Sequence, residues 1–241
     1  MGQSRRPADR NAKAPLNSAA RRTPSSADGA NSRAREATLL LGGFEPFHGE
    51  RRNPSLEVIR ALNDQRIAGL RVSALELPVV YGKAARRMVD AIARTRPAAV
   101  LGLGQAGGRP VITLERIAIN LLDAPGRDSA GRRAADKPVV AGAPAAYFAR
   151  LPLREILRAL ARRRIPATLS LSAGTFICNA VMYAALHDLR RRPSVPCGFI
   201  HLPYDTDQGV RHLKEPTMSL DLMVAAVRVA IVSIGETLNA S

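Results

Sequence analysis

Short apolar runs separated by stretches of helical period constrain this chain more than any other feature. Residues 38–42 (Thr-Leu-Leu-Leu-Gly), 98–103, 167–171 and 196–202 read as buried strands, and residues 71–77 alternate like one. Between them, residues 54–62, 82–94, 145–164 and 177–190 carry helical spacing, and residues 218–237 read as a long closing helix. Asn53 is placed to cap the first helix, with Pro54 at its first position. Residues 111–121 are β-branched and strand-like, and the polar stretch 125–137 reads as a loop or flap. Strands alternating with helices build an α/β fold, with a largely parallel sheet covered on both faces. No internal repeat is present.

The chain has 241 residues, 46% of them hydrophobic, which suits one α/β domain with an extra tail. No apolar run reaches the roughly 18 residues of a membrane span, so no membrane association is expected. Residues 1–36 hold Leu16 as their only large aliphatic besides Met1, and no Val, Ile or aromatic. Such a segment cannot offset its ordering entropy by burial and is expected to be a disordered basic tail. It lacks the apolar stretch of a secretory signal. The catalytic-type domain is therefore residues 37–241.

Net charge is +16. Arginine is spread along the chain, and its clusters 162–164 and 190–192 fall at the ends of helical patterns, where positive charge complements the helix dipole. With only 4% aromatic residues a base-stacking surface is poorly supplied, and no nucleic-acid partner is expected. The two cysteines, Cys178 and Cys197, show no metal-ligand spacing, so no metal is expected.

Three runs carry candidate chemistry. Cys178 follows a small-residue turn (Ser172-Ala-Gly-Thr175) and opens a helix, where the dipole favours the reactive thiolate; the plainer reading is a core cysteine. His201 ends a strand just before Leu202-Pro203, at the sheet edge where a base would stand; otherwise it is a structural histidine. Glu115 lies in an apolar, β-branched run and needs a donor or cation, either an imidazolium or an arginine such as Arg116. Gly102-Leu-Gly-Gln-Ala-Gly107 follows a strand and matches GxGxxG. The helix of a dinucleotide fingerprint is missing, and a loop offering backbone N–H groups to a reacting carbonyl fits better. Phe44 and Phe47 flank a turn, either packing on the core or forming an apolar wall for a flat ring.

Six runs together resemble the pyroglutamyl peptidase I (pyrrolidone-carboxylate peptidase) family of cysteine peptidases. They are Gly43-Phe-Glu-Pro-Phe47 with Asn53-Pro-Ser55, Gly104-Gln-Ala-Gly-Gly-Arg109, Glu115-Arg-Ile-Ala-Ile-Asn120, Ala143-Pro-Ala-Ala-Tyr-Phe148, Ser172-Ala-Gly-Thr-Phe-Ile-Cys-Asn179 and Gly198-Phe-Ile-His-Leu-Pro203. The resemblance implies an α/β/α sandwich with a mixed, mainly parallel sheet. It implies Cys178 as nucleophile, His201 as base and Glu115 as the orienting carboxylate. Phe44, Phe47, Phe176 and Ile177 would line the ring pocket, and Gln105 would contact substrate. It further implies a cytoplasmic homotetramer that removes N-terminal pyroglutamate from peptides without metal or cofactor. One departure matters. Family members often carry Asp-Asp-Ala-Arg where this chain has Leu122-Asp-Ala-Pro125, and Arg127 is the candidate replacement for that arginine. Loss of one oxyanion donor costs roughly 10²–10³ in kcat. The alternative reading is thus a weakly active or non-catalytic binder of pyroglutamyl termini.

Overall fold

The computed structural model describes residues 36–240, and the expected disordered tail (1–36) falls, but for its last residue, outside them. The strands are β1 (Thr38–Phe44), β2 (Arg66–Ile67), β3 (Leu70–Leu77), β4 (Ala99–Gln105), β5 (Ile112–Glu115), β6 (Ile117–Ile119), β7 (Leu122–Ala124), β8 (Ala134–Lys137), β9 (Ala146–Phe148), β10 (Ala167–Ser170), β11 (Cys197–Leu202), β12 (Tyr204–Asp205) and β13 (Thr217–Met218). The helices are α1 (Pro54–Leu62), α2 (Lys83–Thr95), α3 (Leu153–Arg162), α4 (Ile177–Asp188) and α5 (Leu220–Asn239).

Seven strands form the central sheet in the order β10-β5-β11-β4-β1-β3-β2. β3, β1, β4 and β11 run parallel, whereas β5 is antiparallel to β11, β10 is parallel to β5, and β2 is antiparallel to β3. Because side chains alternate along a strand, each strand feeds two cores. Leu39, Leu41, Leu101, Leu103, Ile200 and Leu202 pack with apolar residues of α1, α3 and α5. Leu40, Val100, Cys197 and Phe199 pack on the other face with α2 and α4. The result is a three-layer α/β/α sandwich with a mixed, mainly parallel sheet.

The first helix forms as its sequence dictates. Asn53 Oδ1 accepts from Ser55 N–H (3.1 Å) and Ser55 Oγ (2.8 Å), while its amide donates to Glu45 O (3.1 Å). Ser55 Oγ in turn accepts from Phe44 N–H at 3.0 Å. A Cβ on Gly43 would stand 2.5 Å from Ser55 O, so glycine lets the start of α1 press onto the end of β1. Asn53→Ala removes a cap at a fully buried position and orphans Glu45 O and Ser55 N–H. Urea denaturation is expected to show a loss of about 1–2 kcal/mol.

Three segments depart from the sequence reading. Residues 145–164 are not one helix: Ala146–Phe148 is β9, paired with β6, and α3 begins only after Pro152. Proline in a helix interior lacks its N–H and clashes with the preceding turn, so helix starts after it. Residues 111–121 divide at Arg116, β5 joining the central sheet and β6 the pair with β9. The polar stretch 125–137 contains β8, which pairs with β7 across an irregular register.

Candidate active site

Strand alternation assembles the site. Phe199 faces α4, so His201, two residues on, faces it as well. On β5, Leu114 belongs to the opposite core, which turns Thr113 and Glu115 to the α4 face. The antiparallel register sets His201 opposite Thr113 and Phe199 opposite Glu115. His201 Nδ1 lies 2.8 Å from Glu115 Oε1. Burial raises the Glu115 carboxyl pKa, but hydrogen bonds from His201, Ser170 and Arg109 outweigh it, and the net shift is downward. An ionised carboxylate only accepts, so Nδ1 carries a proton and donates it.

Arg109 is the member of this cluster that sequence reading did not single out. Its guanidinium donates to Glu115 Oε1 (2.7 Å), Thr113 Oγ1 (2.6 Å) and Ser172 O (3.3 Å). Glu115 therefore has both partners that its sequence setting allowed, an imidazole and an arginine. Gly108, with φ +82°, occupies the third position of the turn that presents Arg109, where Ala106 O accepts from Arg109 N–H.

Cys178 stands in the first turn of α4, half-buried. Gly104 on β4 is the register partner of His201, and a Cβ on Gly104 would lie 2.8 Å from Cys178 Sγ. The sulfur thus sits over the strand position beside the imidazole, and a side chain on Gly104 would displace it. Burial pushes the Cys178 thiol up to about 12, the facing Glu115 charge adds to that, and Arg109 pulls the other way. Burial thus opposes the thiolate that the helix start favours. A helix dipole supplies at most about 2 kcal/mol, less than desolvation of a buried anion takes away. Cys197 is different in kind: it is fully buried at the start of β11, as a core residue.

The route of the chain into α4 also differs from a simple strand–turn–helix elbow. β10 is the edge strand, and Cys178 lies over β4, three places away in the sheet. Residues 171–176 carry the chain between them. Gly174 N–H bonds Ser172 Oγ (3.1 Å), Asp123 N–H bonds Thr175 O (3.2 Å), and Thr175 Oγ1 donates back to Asp123 O. Asn179 clips α4 to the neighbouring segment, accepting from Ile119 N–H (2.9 Å) and donating to Ile119 O (2.9 Å) and Leu121 O (3.1 Å). Asn120 exchanges bonds with Val140 N–H and O in the same way.

Phe44, Phe47, Gln105, Phe176 and Ile177 line one cavity with Cys178, joined by Asn53 and Val79. Its volume is about 20 Å³, roughly room for one water. The Phe176 ring leans edge-on against Tyr81, centroids 5.2 Å apart, and stacks with the His48 ring at 6.3 Å. Arg127 is the candidate replacement for the arginine absent at Pro125. Its guanidinium donates to Gly131 O (2.7 Å) within its own loop. The GxGxxG glycines serve close packing: a Cβ on Gly102 would strike the Phe199 ring, and one on Gly107 the Tyr204 ring. Of the other histidines, His187 meets Tyr147 Oη (2.9 Å) and His212 meets Glu50 Oε1 (2.9 Å). Among the described residues no group of three or more His, Cys, Asp or Glu could hold a metal ion.

A thiol, an imidazole and a buried carboxylate gathered on one face of a mixed α/β/α sheet define the class: a hydrolase of the cysteine-peptidase type. The family model for pyroglutamyl peptidase matches residues 37–237. The pyrrolidone-carboxylate peptidase of Chromobacterium violaceum is 50% identical over 194 residues, covering 80% of this chain and 90% of that protein. The Yersinia pestis enzyme of the same name is 44% identical with the same coverage. Among solved structures, a mutant pyrrolidone carboxyl peptidase from Pyrococcus furiosus superposes with a TM-score of 0.81 at 39% identity, over 83% of this chain and 99% of that one. The pyroglutamyl peptidase I of Bacillus amyloliquefaciens gives 0.80 at 36% identity, over 83% and 95%. The chain belongs to the pyroglutamyl peptidase family.

Proposed function

We propose that this protein hydrolyses the amide bond after an N-terminal 5-oxoproline, with Cys178 as nucleophile, His201 as base and acid, and Glu115 as the carboxylate that holds the imidazole. The observation that carries the reading is the 2.8 Å contact between His201 Nδ1 and a fully buried Glu115, on the strand position beside Cys178. His201 Nε2 takes the Cys178 thiol proton, and Sγ attacks the carbonyl carbon. The tetrahedral oxyanion is held by backbone N–H groups at the start of α4, where the dipole is positive. The imidazolium, steadied by Glu115 with Arg109 behind it, gives that proton to the departing amine. Water then attacks the thioester with His201 as base, releasing 5-oxoproline and restoring the thiol.

The pyroglutamyl ring is uncharged and flat. Phe44, Phe47, Phe176 and Ile177 offer it apolar walls, and Gln105 one polar contact. A free α-amine would enter such a slot as an unpaired cation, at a cost of several kcal/mol. Substrates are peptides with an N-terminal pyroglutamate. The two thiols are unpaired, which suits the reducing cytoplasm. We take the working form to be a homotetramer, and the exposed Phe148 and Leu171 offer apolar surface for subunit contact. Among the described residues no helix is long and apolar enough to cross a membrane.

The test is release of arylamine from a pyroglutamyl arylamide, with iodoacetamide inactivation followed in parallel. Turnover and protection of the thiol by 5-oxoproline are expected. A protein that binds 5-oxoproline but does not turn over would be a binder and would overturn the reading.

A further inference from the structure

Gln208 is buried in the segment after β12, far along the chain from the pocket, yet its side chain reaches Gln105. Its Oε1 accepts from Asp205 N–H at 3.1 Å, and Asp205 Oδ1 accepts from Gln208 N–H at 2.8 Å. Its Nε2 faces three oxygens: Gln105 Oε1 (3.0 Å), Glu50 Oε2 (3.3 Å) and Arg52 O (3.4 Å). Asp205 N–H can only donate, and Arg52 O can only accept. Glu50 is held ionised: burial raises its pKa, but hydrogen bonds from His212 and Gln208 and the Arg211 charge bring it below the usual range. Turning the Gln208 amide over would set oxygen against carboxylate and carbonyl and nitrogen against N–H. Its orientation is therefore dictated by its surroundings. Gln105 must then meet it with its own oxygen, and the Gln105 NH₂ is left for the cavity it lines with Cys178.

We propose that Gln208 is a positioning residue for specificity: it locks the Gln105 amide so that a donor, not an acceptor, faces the ring carbonyl of the substrate. This rests on the pyroglutamyl reading above. The 5-oxo group is what distinguishes pyroglutamate from proline, and a fixed donor aimed at it selects for that oxygen.

The test uses the full chain as wild type, Gln208→Met, Gln105→Met and the double variant, with Tm recorded for each. kcat/KM is measured on a pyroglutamyl arylamide and on its thiolactam analogue, in which the ring oxygen becomes the weaker acceptor sulfur. Wild type is expected to prefer the oxygen compound by about tenfold. Gln208→Met loses most of that preference, mainly through KM, and adds nothing to Gln105→Met in the double variant. An unchanged preference in Gln208→Met, or additive effects, overturns the proposal. If Gln208→Met does not fold, Gln105→Glu keeps the bond to Gln208 but turns an acceptor to the ring. It is expected to lose the oxygen compound at least tenfold more than the sulfur one, and equal losses overturn the proposal. If wild type hydrolyses neither compound, the catalytic reading fails by itself. Binding of 5-oxoproline amide against its thio analogue, across the same variants, then decides the role of Gln208 by the same criteria.

Discussion

Cys178→Ala is expected to lower kcat/KM for a pyroglutamyl arylamide by a factor on the order of 10⁴–10⁶, the loss seen when a nucleophile is removed from a unit that acts together. The side chain is small and half-buried at the start of α4, so stability should change by no more than about 1 kcal/mol. Activity and folding thereby separate: a variant with wild-type Tm and no turnover supports Sγ as the attacking atom, and one with full turnover removes it from the mechanism. The same variant should also stop incorporating iodoacetamide at this site. Cys197 is fully buried and should remain unlabelled in the folded wild type.

Glu115→Gln is expected to cost about 10²–10⁴ in kcat, because an amide no longer dictates which imidazole nitrogen carries the proton and no longer steadies the imidazolium. It also replaces the fully buried charged acceptor shared by Arg109 and Thr113 with a neutral amide oxygen. Breaking a buried pair on one side costs roughly 3–5 kcal/mol. The pH dependence has a definite sign. The Glu115 carboxyl is lowered in the fold, so its stabilisation is fully present above the unfolded carboxylate pKa of about 4.3. It is lost as pH falls through the lower folded value. Denaturant titrations between neutral and acidic pH should show wild type losing stability on that descent, and Glu115→Gln losing less. Equal slopes in the two proteins would place the acid sensitivity elsewhere.

Much of this was legible because it is local. The apolar runs of β1, β4 and β11 are buried on both faces, a pattern that short sequence windows carry. Asn53 and Pro54 mark the start of α1 to the residue, since a cap is a bond between near neighbours. Residues 145–164 are not legible as strand and helix, because the partner that makes Ala146–Phe148 a strand, β6, lies elsewhere in the chain. Arg109 stands in a glycine-rich motif, but nothing in its sequence surroundings shows that a turn at Gly108 aims it at Glu115. Gln208 was invisible for the same reason, its contact with Gln105 spanning 103 positions.

The sequence by itself determined β1, β3, β4, β10 and β11, the helices α1, α2, α4 and α5 and, through period-two alternation, that His201 shares a face with Phe199 and Glu115 with Thr113. Those are consequences of backbone geometry and side-chain size within a few residues. Only the tertiary structure decided the strand order, the reversed direction of β5 and β10, and the path that carries Cys178 from the edge strand to Gly104. Strand order and direction are settled by which helices can cover which face at once, a condition on the burial of the whole chain. That condition turns two side chains 86 residues apart into a hydrogen-bonded pair beneath a thiol.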